Sequence, residues 1–322
     1  MTDLVGFGEA TLRLRAGRDR RLGDAEQFAA GVGGPERNAV VTASGLGADA
    51  VWLSRLPDSP LGRRVVADLR GHGVRTGVTW GDGDARLATR FVEAGPEPRG
   101  RTTVDDRSGA AFERVHAPNL PAGVVQEAAR FHVAGPTVAR SERAAATTES
   151  LFEVASEAGT TASFDLRYRD ADWDEATARA ACEALFPYVD VLFVSPEAAQ
   201  AVFGEDGDPI EIAHALRTDN GFETVVLGHG DGDALAVHDD EVHEVDAVPG
   251  ETVDEAGVHD AFVGAFHATR LAGSDSDGEG ADGRPTDVGT ALARGAAAAA
   301  LARTLAGDAV DVSPEAIDRI LD

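Results

Sequence analysis

The repeated alternation of short apolar segments with amphipathic segments is the feature that most constrains the fold of this chain. Residues 4–9 and 49–54 are short and apolar, which is typical of buried strands. Residues 38–46 and 61–72 follow them and carry apolar side chains at helical spacing. A strand–helix–strand order of this kind implies parallel strands with helices packed on both faces of the sheet. The sequence therefore predicts an α/β fold with a mostly parallel central sheet.

The alternation continues through the rest of the chain. Further strands are predicted at residues 131–134, 161–165, 189–194 and 224–227, and further helices at 141–159, from Pro196, at 261–271 and at 288–305. Residues 87–93 are predicted to pair with 102–107, and residues 234–238 with 242–245. Residues 11–27 are polar and rich in arginine, which suits the strands of a small lid better than the core.

The length and patterning of the chain predict one domain over residues 1–322. The chain has 322 residues, 43% of them hydrophobic, so it can bury a large core. It has no internal repeat and no clean linker, but residues 273–287 are acidic, glycine-rich and of low complexity, which predicts a solvated loop or a disordered insert. No apolar run approaches the roughly 20 residues of a membrane helix, and no signal-peptide pattern is present, so a cytoplasmic location is expected.

The charge balance excludes several classes of partner and chemistry. The net charge is −27, from 56 acidic residues against 29 basic residues, and every basic residue is an arginine. Such a surface repels nucleic acids and anionic membranes, and the lack of lysine excludes Schiff-base chemistry and a Walker-type phosphate lysine. Cys182 is the only cysteine, which excludes an internal disulfide and a multi-cysteine metal site. The acidity is typical of a chain adapted to molar salt or of an acidic disordered chain, and the regular apolar periodicity favours the first.

An acidic turn with one glycine leads into the predicted helix at residues 261–271. Gly257 permits a tight turn, and the first N–H groups of the helix that follows have no partner within the helix. Those donors and the positive end of the helix dipole can bind an anion such as a phosphate. Asp260 lies in the first turn, where a carboxylate could accept the proton of an attacking hydroxyl. It could equally be an acid that only stabilises the helix start.

A glycine-rich stretch that begins at Gly33 carries a second motif. Gly33-Gly34-Pro35-Glu36-Arg37-Asn38 leads to residues 46–49, then to residues 58–62, and ends at residues 72–74. With the turn at residues 257–260, it resembles the PfkB (ribokinase-like) family of carbohydrate kinases, over nearly the whole chain. Within that family the chain is most similar to the 2-keto-3-deoxygluconate kinases of halophilic archaea. The resemblance implies a ribokinase-like three-layer sandwich with a small β lid, formed by segments near residues 11–32 and 86–114.

The resemblance also implies roles for individual residues. Asp260 is expected to be the catalytic base, and the backbone N–H groups of Gly257, Val258 and His259 an anion hole for the transferred phosphoryl group. Residues expected to bind the substrate are Gly33, Gly34 and Asn38, at the sugar hydroxyls, and Arg107 and Arg169, at a carboxylate. Residues expected to bind the nucleotide are Gly228, Gly230 and Asp231. The implied cofactors are ATP and Mg²⁺, and no protein residue is assigned as a metal ligand.

Several positions depart from the family pattern. Val258 and His259 stand where most members have alanine and glycine, so the side chain of His259 could crowd the phosphate or add a positive donor. Arg90, Asp105 and Arg167 stand where two tyrosines and an asparagine are usual, which changes the charge of the sugar pocket. On the nucleotide side, a histidine at position 229 replaces the expected cation, and Ser195-Pro196-Glu197-Ala198 replaces an asparagine-and-glutamate motif.

The residues and the resemblance are compatible with three functions. The favoured one is ATP-dependent phosphorylation of a small sugar or sugar acid, such as 2-keto-3-deoxygluconate or a related acid. The alternatives are a catalytically weakened sugar- or nucleotide-binding protein of the same fold, and a nucleoside kinase, which the lid arginines disfavour. The resemblance also implies a homodimer through the lid, and the acidic charge argues against a nucleic-acid or membrane partner.

Overall fold

The computed structural model describes residues 2–96, 98–228, 233–272, 287–309 and 312–322. Gly230, Asp231 and residues 273–286 of the predicted acidic loop lie outside the described residues.

Two β-sheets organise the described part of the chain. The strands are β1 (Thr2–Phe7), β2 (Thr11–Ala16), β3 (Phe28–Gly33), β4 (Ala50–Pro57), β5 (Arg75–Gly81), β6 (Ala88–Ala94), β7 (Arg101–Asp106), β8 (Ala128–Ala134), β9 (Thr161–Asp165), β10 (Val191–Val194), β11 (Thr224–Gly228), β12 (Ala234–His238) and β13 (Glu241–Val245). Nine of them form the large sheet, in the order β13-β12-β11-β10-β9-β8-β1-β4-β5. Neighbours from β11 to β5 pair in parallel, whereas β12 and β13 form an antiparallel hairpin at one edge.

Helices cover both faces of the large sheet. They are α1 (Pro35–Gly45), α2 (Pro60–Gly71), α3 (Gly123–Gln126), α4 (Gly135–Val138), α5 (Glu142–Ala158), α6 (Glu175–Leu185), α7 (Pro196–Phe203), α8 (Pro209–Asn220), α9 (Val258–Ala272), α10 (Val288–Arg303) and α11 (Pro314–Leu321). Neighbouring side chains of β1 point to opposite faces of the sheet and so enter two separate cores. Val5 packs in the cluster that includes α5 to α8, and Leu4 packs in the cluster that includes α1, α2 and α9. The fold is therefore a three-layer α/β sandwich, and the predicted fold class is confirmed.

The remaining four strands form a small sheet in the order β3-β2-β6-β7. Strand β2 pairs antiparallel with β3 and parallel with β6, and β6 pairs antiparallel with β7. These strands come from the two segments that were predicted to form a lid. Within the described ranges, no helix is long and apolar enough to span a bilayer.

Some elements carry too weak a pattern to be predicted from the sequence. Strand β5 lies at the edge of the large sheet, and only its last residue is buried, so it lacks an apolar run. Helices α6, α8 and α11 are also absent from the predicted elements. In α6 the buried residues Ala178, Cys182 and Leu185 recur at intervals of four and three, which is the signal that could have revealed it.

The start of α9 depends on Gly257. This residue has φ +73°, in the left-handed region, and a Cβ atom built on it would lie 1.8 Å from the carbonyl oxygen of Asp308. Any larger residue would therefore clash with backbone and adopt a strained conformation. Gly257 fixes how the chain enters α9, and α9 in turn packs on α1 and α10. This arrangement brings the first turns of α1 and α9 together.

Candidate active site

A pocket of about 270 Å³ lies between the small sheet and the carboxyl ends of the strands of the large sheet. Seven residues predicted to act in catalysis or substrate binding line it: Gly33, Gly34, Asn38, Arg107, Arg169, Gly257 and Asp260. Residues that the sequence analysis did not assign to the site also line it, among them Glu9, Arg13, Arg101, Glu255 and Asp308. Half of the charged residues that line the pocket were therefore not predicted from the sequence.

Asp260 lies in the first turn of α9 and is 5% exposed. The Nδ2 group of Asn38 donates a hydrogen bond to Asp260 Oδ2 at 2.7 Å, and Nη1 of Arg167 donates a short one to Oδ1. Asn38 is buried, whereas the Arg167 side chain is 31% exposed and lines the pocket. Oδ1 is therefore the oxygen of Asp260 that a ligand in the pocket could reach by displacing Arg167.

Arg167 follows β9 and adopts φ +41°, which is unusual for a residue with a long side chain. Burial opposes its charge, but the Asp260 and Asp165 carboxylates outweigh that effect and raise the pKa of Arg167. The guanidinium therefore stays charged and neutralises Asp260. The sequence analysis noted Arg167 only as a departure from an asparagine and did not predict this ion pair.

The backbone at the start of α9 provides free donors beside the pocket. The first intrahelical bond runs from the N–H of Ala261 to the carbonyl of Gly257 at 2.8 Å. The preceding N–H groups of Val258 and His259 point out of the helix start, where the dipole is positive. Val258 itself packs into the apolar clusters between α9 and α10, so its side chain turns away from these donors.

The side chain of His259 is directed to the end of β9 and does not line the pocket. Its Nε2 atom lies 3.0 Å from Oδ2 of Asp165, a carboxylate that is 3% exposed. Burial alone would raise the pKa of Asp165, but the charge of His259 and its hydrogen bond outweigh burial and hold that pKa below its ordinary value. Of the two roles considered for His259, crowding of the pocket is not what the structure has.

The two arginines expected to bind a carboxylate share an acidic partner. Arg169 donates from Nε to Asp172 Oδ2 at 2.7 Å, and Nη1 of Arg107 lies 3.5 Å from Asp172 Oδ1. The Nε group of Arg107 also donates a hydrogen bond to the buried carboxylate of Glu9 at 3.0 Å. Arg107 is thus a fixed wall of the pocket, whereas the Arg169 side chain is 45% exposed and freer to meet a ligand.

A cluster of arginines connects the small sheet with the loop before α9. Asp254, which is 7% exposed, accepts from Arg15 at 2.6 Å and from Arg13 at 3.5 Å. Arg13 also donates to Asp308 at 2.8 Å. Burial raises the pKa of Asp308, and Arg13 opposes that rise. Asp254 therefore ties the small sheet to the loop before α9.

The nucleotide side is described only in part. Gly228 ends β11, and Gly230 and Asp231 lie outside the described residues. Ser195 caps α7 by accepting a hydrogen bond from the N–H of Ala198 at 3.1 Å. Among the described residues, no three His, Cys, Asp or Glu side chains form a group that could hold a metal ion.

Comparison with known proteins agrees with this geometry. Residues 1–315 match the family described as pfkB family carbohydrate kinase. The chain is 44% identical to a 2-dehydro-3-deoxygalactonokinase of Haloferax volcanii, over 99% of this chain and 96% of that protein. It is 31% identical to a 2-dehydro-3-deoxygluconokinase of Thermoproteus tenax, over 85% of this chain and 84% of that protein.

A solved structure gives the same result for the fold. The crystal structure of a 2-dehydro-3-deoxygluconokinase from Thermotoga maritima superposes with a TM-score of 0.89 at 26% identity, and the match covers 99% of each chain. The likeness therefore includes both the large sheet and the small sheet. The chain belongs to the PfkB family, and it is a carbohydrate kinase.

Proposed function

We propose that this kinase transfers the γ-phosphoryl group of ATP to a hydroxyl of a small sugar acid of the 2-keto-3-deoxy class, such as 2-keto-3-deoxygluconate or its galactonate counterpart. The observation that carries the proposal is the Asp260 carboxylate at the base of an arginine-lined pocket, with Oδ2 held by Asn38 and Oδ1 directed to the pocket. The names of the Haloferax volcanii and Thermoproteus tenax relatives support the substrate class.

Asp260 is the proposed general base. The acceptor hydroxyl takes the place of the Arg167 guanidinium at Oδ1 and gives its proton to that oxygen as its own oxygen attacks the γ-phosphorus. The bond from the γ-phosphorus to the bridging oxygen breaks, and ADP leaves with the electron pair. The products are ADP, the phosphorylated sugar acid and a proton that Asp260 later releases.

The start of α9 is the proposed anion hole. The N–H groups of Gly257, Val258 and His259 would donate to the transferred phosphoryl oxygens, where negative charge is spread in the transition state. Mg²⁺ bound to the phosphates supplies further neutralisation of that charge. Gly228, with Gly230 and Asp231, is proposed to support the nucleotide.

The substrate side of the pocket is proposed to recognise a carboxylate and hydroxyl groups. Arg169 and Arg107 present guanidinium donors, and an anionic substrate would compete with Asp172 for them. Gly33, Gly34 and Asn38 would hold hydroxyl groups on the opposite wall. Arg90 and Asp105 form an ion pair at 2.6 Å on the small sheet, which makes this part of the pocket more polar than two tyrosines would.

The small sheet is the proposed lid. By covering the acceptor it would exclude water and limit wasteful hydrolysis of ATP. The residues of β7 are all exposed, including Val104 at 52%, and we propose that this surface pairs with a second copy of the chain in a homodimer.

The test is the release of ADP in molar KCl with ATP, Mg²⁺ and a panel of acceptors. The panel holds 2-keto-3-deoxy sugar acids of both stereochemical series, hexoses and nucleosides. We expect turnover with the sugar acids, and we expect Asp260→Asn to lower kcat by about 10²–10⁴-fold. Glu175→Gln is the matched control, because Glu175 is also a first-turn acid of a helix but is exposed and does not line the pocket.

Each outcome separates the alternatives. Turnover with nucleosides alone would identify a nucleoside kinase. A folded protein that binds a sugar acid by calorimetry but turns over nothing would identify a binding protein. Equal activity of wild type and Asp260→Asn would show that Asp260 only stabilises the helix start.

A further inference from the structure

A buried arginine next to the pocket has no part in the mechanism described so far. Arg37 lies in the first turn of α1 and is 2% exposed, yet it does not line the pocket. Its Nη1 group donates to Oδ1 of Asn38 at 3.0 Å, and its Nη2 group donates a short hydrogen bond to Asp68 of α2. A chain of hydrogen bonds thus runs from Asp68 through Arg37 and Asn38 to Asp260.

The order of donors and acceptors along this chain determines how the Asn38 amide is turned. A guanidinium has only donors, so the Asn38 atom beside Arg37 has to be the carbonyl oxygen. A carboxylate has only acceptors, so the atom beside Asp260 has to be the amide nitrogen. Without Arg37, only the hydrogen bond to Asp260 would hold the amide in this orientation, and the flipped amide, which sets an oxygen against the carboxylate, would be reached more easily.

The orientation of the amide matters because it decides which oxygen of Asp260 remains available. The hydrogen bond from Asn38 to Oδ2 is buried, whereas Oδ1 pairs with Arg167, which is partly exposed and lines the pocket. A flipped amide would repel Oδ2 and displace the carboxylate from the position in which Oδ1 meets the acceptor. A displacement of about 1 Å at a reacting group can cost about 10²-fold in rate.

The burial of Arg37 is costly, which argues against a purely structural role. Its Nε group has no hydrogen-bond partner among the described residues, and Asp68, its counter-ion, is 34% exposed. Burial lowers the pKa of Arg37, and Asp68 opposes that effect. An apolar residue of similar volume would often fill such a space at no loss of stability.

We propose that Arg37 is a positioning residue for phosphoryl transfer: it locks the Asn38 amide so that the amide nitrogen holds Oδ2 of Asp260 and Oδ1 faces the acceptor. Asp68 anchors Arg37 from α2. This proposal rests on the proposed role of Asp260 as the base.

The test is a double-mutant cycle of Arg37→Met, Asn38→Ala and the double variant, assayed for kcat and for the KM of ATP. We expect Arg37→Met to lower kcat by about 10–100-fold and to leave the KM of ATP nearly unchanged. In the Asn38→Ala background the same substitution should change kcat by less than about threefold, because the amide through which Arg37 acts is gone. Arg37→Lys, which keeps a donor and the charge, should restore part of kcat.

Controls separate positioning from folding. Arg63→Met removes an arginine of α2 whose side chain is 67% exposed, and it should leave kcat unchanged. Asp68→Asn releases Arg37 without removing it and should lower kcat less than Arg37→Met does. This variant tests the proposal even if Arg37→Met does not fold. Wild-type kcat in folded Arg37→Met, or equal losses in both backgrounds, would overturn the proposal. If Asp260→Asn kept wild-type turnover, the proposed base itself would be wrong.

Discussion

Glu36, the residue before Arg37, is a fully buried acid at the start of α1. Its Oε1 atom accepts a hydrogen bond from the N–H of Ala134 at 2.8 Å. Burial raises the pKa of Glu36 to about 8, although hydrogen bonds from Thr137 and Ala134 act in the opposite direction. Glu36 is therefore mostly uncharged in the folded protein at neutral pH.

The protonation of Glu36 predicts a pH dependence of stability. Below its unfolded pKa of 4.5 both states hold the proton, so Glu36 contributes nothing. As the pH rises from there to about 8, only the unfolded chain loses the proton, so the free energy of unfolding falls, by about 1.4 kcal/mol for each pH unit at most. Above about 8 the full cost, on the order of a few kcal/mol, is present.

Glu36→Gln should remove this dependence. We expect the variant to lose less stability than wild type between pH 5 and pH 9, measured by urea unfolding in the same salt. Glu157→Gln, at an exposed position of α5, is the control and should keep the wild-type slope. An unchanged slope in Glu36→Gln would mean that Glu36 does not carry a proton into the folded state.

The small sheet and the loop before α9 are connected through Asp254. The carboxylate is buried and accepts hydrogen bonds from Arg13 and Arg15 of β2, while Arg101 of β7 lies 3.8 Å away. This loop leads directly to Gly257 and the proposed anion hole. These ion pairs therefore link the proposed lid to the proposed phosphoryl site. A movement of the small sheet would be passed through them to the loop before α9.

Asp254→Asn should weaken that connection. Removing one partner of a buried ion pair costs about 3–5 kcal/mol, because the remaining charge loses its counter-ion. Here Arg15 loses the carboxylate it contacts at 2.6 Å, whereas Arg13 keeps Asp308. We expect a loss of stability of that order and a larger rise in the KM of the acceptor than in that of ATP. The control is Asp106→Asn on β7, which breaks an exposed ion pair with Arg86. It should change the stability and the KM of the acceptor little. Equal effects of the two substitutions would argue against the connection.

The charge of the whole molecule predicts how the protein responds to salt. With a net charge of −27, like charges repel across the folded surface. The Debye length falls from about 10 Å at 0.1 M salt to about 3 Å at 1 M, so added salt screens the repulsion. We expect Tm to rise steeply with KCl up to about 1 M and more slowly beyond, because screening is then nearly complete.

Calorimetric scans in KCl from 0.1 to 3 M check this expectation. An uncharged osmolyte at the same osmolality is the control, because it stabilises compact states without screening charge. A Tm that is flat or falls with KCl would show that the acidic surface is already balanced by its ion pairs. An equal rise of Tm in the osmolyte would indicate that exclusion of solute from the protein surface is the cause.

The sequence by itself determined the architecture of this protein and indicated the pocket that we propose as its active site. Apolar runs such as Val191–Val194 and the helical spacing in α1 and α9 are local signals, because each is carried by the pattern of residues within one short segment. Gly257 and Asp260 are also close in the chain, but their turn alone left a structural acid and a catalytic acid open, and only together with the motif at residues 33–38 did it indicate a phosphoryl site. The edge strand β5 lacked such a signal because most of it is not buried.

Only the tertiary structure decided which charged group meets which. Arg167 reaches Asp260 from 93 positions away, and Asn38 reaches it from 222 positions away. His259 could have faced the pocket, but the fold places Asp165 beside it, and the role of Arg37 follows from Asp68 on another helix. In a chain with 56 acids and 29 arginines, almost any pairing is possible in principle. The pairs that form depend on distances of a few ångströms and on burial, because Coulomb energies grow as water is excluded, and these distances are fixed only when the layers pack.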